Sequence, residues 1–223
     1  MLYYNNGNEV MSVKKYDNIY AKRFGYFNLY VIKGKNGDVL IDTGFIGMKR
    51  PLKRWLNKFN VKLVILTHAH VDHTWNTAYL KELYGCDVAL GINDLVNIDN
   101  SNIKSKPTTK RCGLWCKLMN FGMRVLSVKD FDIDMKLKDN QIIRRYGLEL
   151  KIVSLPGHTS GSIGVLYKDY LFAGDALINR WNGVEVAFQN QDLDEALLSY
   201  EKIKEINPSV IFIGHDKEII FNN

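Results

Sequence analysis

The chain has 223 residues, 46% of them hydrophobic and 24% charged, and its formal net charge is +6. This length predicts a single domain spanning 1–223 with a full core, and three cysteines are too few for a disulfide framework. Neither a secretory leader nor an apolar run of about 18 residues is recognisable, so we expect a cytoplasmic protein without a membrane span.

The first third of the sequence predicts a meander of strands followed by strand–helix–strand units. Two runs rich in β-branched and aromatic residues, 18–24 and 27–33, lead through an Asn-Gly turn to the strand in VLIDTG. An amphipathic helix is predicted next from apolar residues at helical spacing, namely Leu52, Trp55, Leu56 and Phe59. The apolar run VKLVILT then predicts a strand that is buried on both faces. This order is typical of α/β architecture.

The strand–helix–strand pattern continues after the strand in VKLVILT, and a second, similar set of elements is predicted from residue 142 onward. One helix is expected over HTWNTAYLKELYG, with a strand over CDVALG after it. Residues 92–130 are less regular, and we interpret them as an insertion containing a loop and a helix. Two hairpins, a helix with Asp192 as N-cap and a strand in SVIFIGHD complete the chain.

Four potential metal ligands lie together in THAHVDH, directly after the predicted buried strand. An extended segment would point His68, His70 and Asp72 to the same side, and His73 would follow where the helix begins. Clustered imidazoles would repel one another if protonated, and imidazole with carboxylate suits zinc or iron. A structural role would be the ordinary interpretation of one such histidine, but the cluster predicts a metal site.

The remaining histidines and one aspartate also follow predicted strands. His158 lies in LPGHTSGS, Asp175 in LFAGDAL and His215 in FIGHD. Ligands of α/β sheets gather at the carboxyl ends of strands, so all these side chains can converge on one edge.

In this order, VLIDTG, THAHVDH, PGHTSGS, FAGDAL and IGHD resemble the metallo-β-lactamase superfamily over about residues 18–216. The resemblance implies a four-layer αββα sandwich with a dinuclear site at one edge. It also implies that Asp42 holds a ligand or a loop without being a ligand. The implied ligands of one metal are His68, His70 and His158, those of the other are Asp72, His73 and His215, and Asp175 bridges the two.

The expected activity is hydrolysis of an ester, thioester, lactone or related small molecule. Two divalent ions, zinc first with iron or manganese as alternatives, would activate a hydroxide, and Asp72 would carry the proton to the leaving group. The substrate could be acidic, since the chain is basic, whereas nucleic acid is not expected. The chain ends eight residues after His215, so we do not expect the C-terminal domain of glyoxalase II, although compact thioesterases fit.

Two other functions stay open. Mononuclear iron persulfide dioxygenases keep the same HxHxDH pattern, whereas diiron oxygen reductases have Glu where this chain has His70. A non-catalytic binding module is disfavoured because every ligand position is filled. The sequence does not determine the oligomeric state.

Five further residues are candidates for substrate contact. Trp115 and Phe121, with Leu118 and Met119, could form an apolar pocket with a basic rim, and ordinary packing of that helix is the alternative. Arg180 could pair with a carboxylate or phosphate of the substrate, or with an acidic neighbour at the surface.

Overall fold

The computed structural model describes residues 13–98, 106–107, 128–180 and 183–220, and two facing β-sheets dominate it. The first sheet has seven strands in the order β1-β2-β3-β4-β5-β6-β8. Strands β1 to β4 form antiparallel hairpins, while β4, β5, β6 and β8 run parallel. The bounds are β1 Val13–Tyr16, β2 Ile19–Phe24, β3 Phe27–Lys33, β4 Asp38–Ile41, β5 Val61–Leu66, β6 Asp87–Gly91 and β8 Met135–Leu137.

The second sheet has six strands in the order β17-β16-β12-β11-β10-β9, of which only β12 and β16 are parallel neighbours. Its bounds are β9 Ile142–Arg145, β10 Leu148–Ser154, β11 Ile163–Tyr167, β12 Tyr170–Gly174, β16 Val210–Ile213 and β17 Ile219–Ile220. Two small ribbons pair β13 Leu177–Arg180 with β14 Gly183–Val186, and β7 Lys106–Pro107 with β15 Gln189–Asn190.

Helices cover the outer faces of the two sheets. The described helices are α1 Lys49–Leu56, α2 Val71–Thr74, α3 Thr77–Tyr84 and α4 Leu193–Ile206, and a 3-10 helix spans Ile92–Asn97. Leu52 and Trp55 of α1 and Leu80 of α3 pack on the first sheet. Ala196 and Ile203 of α4 pack on the second sheet. Among the described residues, no helix is long and apolar enough to cross a membrane.

The main core lies between the sheets. Phe212 stacks on Phe172 with 4.9 Å between ring centroids, and Tyr30 of the first sheet tilts against Phe212 at 5.0 Å. Both phenylalanines are essentially inaccessible to solvent. With helices outside each sheet, the layers run α, β, β, α, which confirms the predicted αββα sandwich.

Local signals predicted most elements well. The meander, the two hairpins of the second half and the α4 N-cap are confirmed, since the Asp192 side chain accepts a hydrogen bond from the Glu195 amide at 3.1 Å. The parts of the predicted insertion that can be compared are the 3-10 helix and the short strand β7. Its predicted helix, with Trp115, Leu118, Met119 and Phe121, lies outside the described residues, and the single-domain assignment stays a prediction.

The prediction of a single continuous helix after the histidine cluster is wrong. Two helices replace it, α2 and α3, with a break at Trp75 and Asn76. The Asn76 side chain is fully buried and donates to the carbonyl oxygens of Thr43 at 2.8 Å and Phe45 at 3.0 Å. These two hydrogen bonds anchor Asn76 at the junction of α2 and α3.

Candidate metal centre

All seven predicted ligands lie at one edge of the sandwich, beyond the carboxyl ends of strands. THAHVDH follows β5, and Asp175 and His215 follow the parallel strands β12 and β16. His158 follows β10, which runs in the same direction as β12 because both are antiparallel to β11. The strand directions therefore place the donor groups of both sheets at the same edge.

The first group of donors consists of three buried imidazoles. The Nδ1 atom of His70 lies 3.0 Å from Nε2 of His68 and 2.8 Å from Nε2 of His158. Their exposed fractions are 4%, 0% and 5%, respectively. Two nitrogens bound to one tetrahedral zinc lie about 3.3 Å apart. The three nitrogens therefore have the spacing of ligands that share one ion.

The second group combines two imidazoles with a carboxylate. The Oδ2 atom of Asp72 lies 3.4 Å from Nε2 of His215 and 3.9 Å from Nε2 of His73. His73 is buried, whereas the side chains of Asp72 and His215 are 21% and 27% exposed. The donor atoms of this trio lie within 4.8 Å of one another. This group therefore faces the solvent more than the first group does.

Asp175 lies between the two groups. Its Oδ2 atom is 3.1 Å from Nε2 of His215 and 3.7 Å from Nε2 of His158, and its Oδ1 atom is 3.4 Å from Nε2 of His73. One carboxylate thus contacts imidazoles from both trios, as a bridging ligand would.

Asp42 holds His73 and the turn after β5. Its Oδ2 atom accepts from Nδ1 of His73 at 2.8 Å, and its Oδ1 atom accepts from the Thr67 amide at 2.8 Å. The Thr67 hydroxyl also donates to Oδ2 at 2.9 Å. Because the Nδ1 proton of His73 is bound to Asp42, the Nε2 lone pair is directed into the site.

Electrostatics distinguish the two groups. Burial and the neighbouring His73 hold the pKa of His68 well below its ordinary value. Burial, with His158 nearby, lowers the pKa of His70 to about 3, and burial also lowers the pKa of His158. Neutral imidazoles keep the lone pairs that metal coordination needs.

The second group holds opposite charges together. Burial would lower the pKa of His215, but Asp175 and Asp72 raise it to about 10. Burial would raise the pKa of Asp175, but His215 and His73 hold it well below its ordinary value. A divalent cation can replace the protons on these imidazoles because it supplies positive charge to the same carboxylates.

Unpaired buried atoms also fit a metal. Within the part of the chain that the structure describes, Nε2 of His73 and Oδ1 of Asp175 are buried without a hydrogen-bond partner. Buried polar groups are normally satisfied, so such atoms in contact with each other indicate a missing shared partner. Imidazole nitrogen and carboxylate oxygen are the donors that zinc accepts.

The structure reveals a glycine requirement that our sequence interpretation missed. Each ligand outside THAHVDH directly follows a glycine, and a Cβ atom on that glycine would overlap a neighbouring atom. At Gly214 the overlap would be with the Asp175 carboxylate and the His73 ring, which shows that the ligands themselves fill this space. The repeated pairs were visible in the sequence: Gly157–His158, Gly174–Asp175 and Gly214–His215.

The predicted geometry of Asp72 needs correction. Asp72 lies in the first turn of α2 and does not continue the extended segment, since helix geometry begins at Val71 after the extended His70. The helical turn directs Asp72 away from the His68 and His70 pair, which explains why it lies with His73 and His215.

Of the residues predicted to contact the substrate, the structure describes Arg180. The Nε atom of Arg180 lies 3.8 Å from Oδ2 of Asp216, and its guanidinium lies over the Phe188 ring at 5.0 Å from the centroid. Its side chain is 57% exposed beside the residue that follows His215. Trp115 and Phe121 lie outside the described residues.

Comparison with known proteins identifies the class. The sequence model of the metallo-beta-lactamase superfamily matches residues 23–215 of this chain. The chain therefore belongs to the metallo-beta-lactamase superfamily, and it is a hydrolase of that superfamily.

Two proteins and one solved structure illustrate what the chain is similar to. A probable metallo-hydrolase of Methanocaldococcus jannaschii is 28% identical over 203 residues, which are 86% of this chain and 91% of the relative. A hydroxyacylglutathione hydrolase of Haemophilus influenzae is 29% identical over 166 residues, covering 70% of this chain and 69% of that enzyme. A beta-lactamase structure from Chitinophaga pinensis has a TM-score of 0.70 at 18% identity, covering 96% and 82% of the two chains, and supports the fold alone.

Proposed function

We propose that this protein is a dinuclear metal-dependent hydrolase acting on a small thioester, ester or lactone, with a hydroxyacyl thioester as the first candidate. The observation that carries the proposal is the bridging position of Asp175 between two trios of donors. A lone metal would need only one trio. The similarity to the hydroxyacylglutathione hydrolase of Haemophilus influenzae favours a thioester.

The residues divide the work in this proposal. One divalent ion would be held by His68, His70 and His158, a second would be held by Asp72, His73 and His215, and Asp175 would contribute to both. Zinc is the metal we expect, because borderline divalent ions accept this mixture of donors. Bound in pairs, such ions polarise a carbonyl oxygen and acidify water at neutral pH.

Asp72 is the proposed proton carrier. It is the more exposed of the two carboxylates at the centre, at 21% against 11% for Asp175. In thioester hydrolysis the oxygen of water bonds to the acyl carbon as the carbon–sulfur bond breaks. Asp72 takes a proton from the water and delivers one to the leaving sulfur.

Metal content and thioester cleavage test the proposal together. The wild-type protein, purified without added metal or chelator, is expected to contain about two equivalents of zinc. His70→Ala and His215→Ala each remove a ligand from one trio, and each is expected to retain about one equivalent. Thiol release from a hydroxyacyl glutathione thioester should be rapid in the wild type and lost in both variants.

A matched control separates loss of metal from loss of stability. Asp38→Asn changes a buried carboxylate at the opposite end of β4, where Asp38 accepts from the Asn60 amide at 2.7 Å. This variant should keep both equivalents and full activity. One equivalent of iron in the wild type, with oxygen uptake on a persulfide, would contradict the proposal and favour a dioxygenase.

A further inference from the structure

A buried carboxylate outside the ligand set joins two of the loops that supply ligands. Asp94 lies in the 3-10 helix after β6 and has no solvent exposure. Its Oδ2 atom accepts from the Ala69 amide at 2.5 Å. Its Oδ1 atom accepts from the Gly161 amide at 3.2 Å and from Nδ2 of Asn97 at 2.7 Å.

The two amides belong to different ligand segments. Ala69 lies between His68 and His70, and Gly161 lies in the loop that carries His158. These are the three imidazoles of the first group. A single carboxylate therefore bonds to the backbone on both sides of the group, and Asn97 fixes its orientation.

The backbone segments around this link are closely packed. A Cβ atom on Gly161 would overlap the backbone of Asp94, and one on Gly91 would overlap the Gly161 carbonyl oxygen. The 3-10 helix and the His158 loop thus approach backbone to backbone. This close approach brings the Asp94 side chain within reach of both amides.

Asp94 is not itself a candidate ligand. The three groups of donors found among the described residues do not include it. Burial raises the pKa of Asp94, while hydrogen bonds from Asn97, Thr159 and the two amides act in the opposite direction. Because these contacts are all with neutral hydrogen-bond donors, the role of Asp94 is to hold the segments that carry the donors in place.

We propose that Asp94 is a positioning residue that fixes the separation of the His68–His70 segment from the His158 loop and so sets the affinity of the first metal position. The proposal rests on the dinuclear site proposed above. Residues that orient metal ligands typically change metal affinity 10- to 100-fold when they are mutated.

Asp94→Asn is the informative change because it preserves shape but removes one acceptor. In one orientation the new NH₂ group faces the Ala69 amide, and in the other it faces the Gly161 amide and Asn97. Either orientation therefore places the NH₂ group against at least one donor and breaks the link on one side. The side-chain volume is kept, so the packing around Gly91 and Gly161 is not disturbed.

Asp38→Asn is the matched control. Asp38 is 3% exposed and also accepts two backbone amides from separate loops, those of Gly34 at 3.1 Å and Asn60 at 2.7 Å. It lies at the start of β4, at the edge of the sheet opposite the metal site. The two variants should lose similar stability, but only one of them touches the ligand segments.

The experiment measures zinc binding by competition with a chromophoric chelator in both variants and the wild type, together with the visible spectrum of the Co²⁺-loaded proteins. Asp94→Asn is expected to weaken the zinc equivalent held by His68, His70 and His158 about 10- to 100-fold and to alter the Co²⁺ bands. Asp38→Asn should match the wild type in both measurements. Denaturant unfolding of the metal-free proteins reports the stability change separately.

The outcomes distinguish this proposal from the proposed function. A wild type that binds no zinc overturns both. A wild type that binds two zinc ions, with Asp94→Asn binding them equally well, overturns the positioning role alone, and so does an equal loss in Asp38→Asn. If Asp94→Asn does not fold, Asn97→Ala is measured in its place, because loss of the Asn97 side chain leaves the Asp94 carboxylate free to rotate. A loss of zinc affinity in Asn97→Ala that is smaller than the one expected for Asp94→Asn supports the proposal. Wild-type zinc affinity in Asn97→Ala overturns it.

Discussion

Replacing Asp42 with Asn should weaken the second metal position while the fold stays intact. Asp42 is 3% exposed, and its carboxylate accepts from Nδ1 of His73 and from Thr67, each at 2.8 Å. Its backbone has a φ of 60°, a left-handed conformation that Asn tolerates and Ala does not. Asn therefore changes the hydrogen bonding at this position without backbone strain.

The magnitude follows from the His73 tautomer. With Asn at position 42, an NH₂ group can face Nδ1 of His73 where a carboxylate oxygen now accepts. His73 must then move its proton to Nε2, the atom that lies 3.4 Å from Oδ1 of Asp175. A protonated nitrogen cannot bind a metal. A 10- to 100-fold loss of affinity corresponds to about 1.4 to 2.8 kcal/mol.

The assay is zinc competition resolved into two equivalents, with Asp38→Asn as control. We expect Asp42→Asn to weaken the equivalent held by Asp72, His73 and His215 and to leave the other unchanged. Thioester cleavage should fall with occupancy of that position. Two equivalents bound with wild-type affinity would refute the tautomer argument and would leave Asp42 only the role of holding the Thr67 turn.

Three other predictions concern stability. Zinc at 100 times its dissociation constant should stabilise the fold by about 2.7 kcal/mol, which raises the melting temperature by roughly 5 to 11 °C in a scanning experiment; no response would contradict a native-state site. Phe212→Ala should cost about 3 to 5 kcal/mol in denaturant unfolding, because Phe212 stacks between Phe172 and Tyr30, and a loss below about 1 kcal/mol would argue against this core. Burial would raise the pKa of the Glu218 carboxyl, but hydrogen bonds, above all the one from Lys14, lower it below its ordinary value of 4.5. The charged Glu218 therefore stabilises the folded state above pH 4.5, and this stabilisation is lost as the pH falls through the lowered pKa. Glu218→Gln should therefore differ from the wild type at pH 7 and converge with it in acid, and a constant difference would contradict the assignment.

Elements defined by neighbouring residues could be predicted from the sequence. The strand alternation, the Asn-Gly turn and the Asp192 cap depend on residues within a few positions of one another. The break at Asn76 could not be predicted in this way, because its partners Thr43 and Phe45 are more than 30 residues earlier in the chain. Only the fold brings that backbone within reach.

The same distinction applies to the candidate site. The seven donors could be chosen from composition and from their positions after strands, since histidine is scarce in this chain. Asp94 gave no comparable signal, because it is an isolated aspartate whose partners are Ala69 and Gly161. Its place between them is a consequence of sheet order, which a local pattern does not reveal.

Sheet order also explains why one strand end can present four ligands. Strand β5 lies between the parallel strands β4 and β6. Each neighbour is followed by a buried aspartate: Asp42 comes directly after β4 and bonds His73, and Asp94 comes three residues after β6 and bonds Ala69. The ligand segment is therefore held from both sides, with one aspartate for each proposed metal position.

The double variant tests this division. If Asp42 and Asp94 support separate metal positions, the free-energy losses of Asp42→Asn and Asp94→Asn should add within about 0.5 kcal/mol when both zinc equivalents are measured. If both act by fixing the same turn after β5, the second change should cost much less once the first is present. Zinc competition on the four proteins of this cycle therefore distinguishes two independent holders from one shared turn.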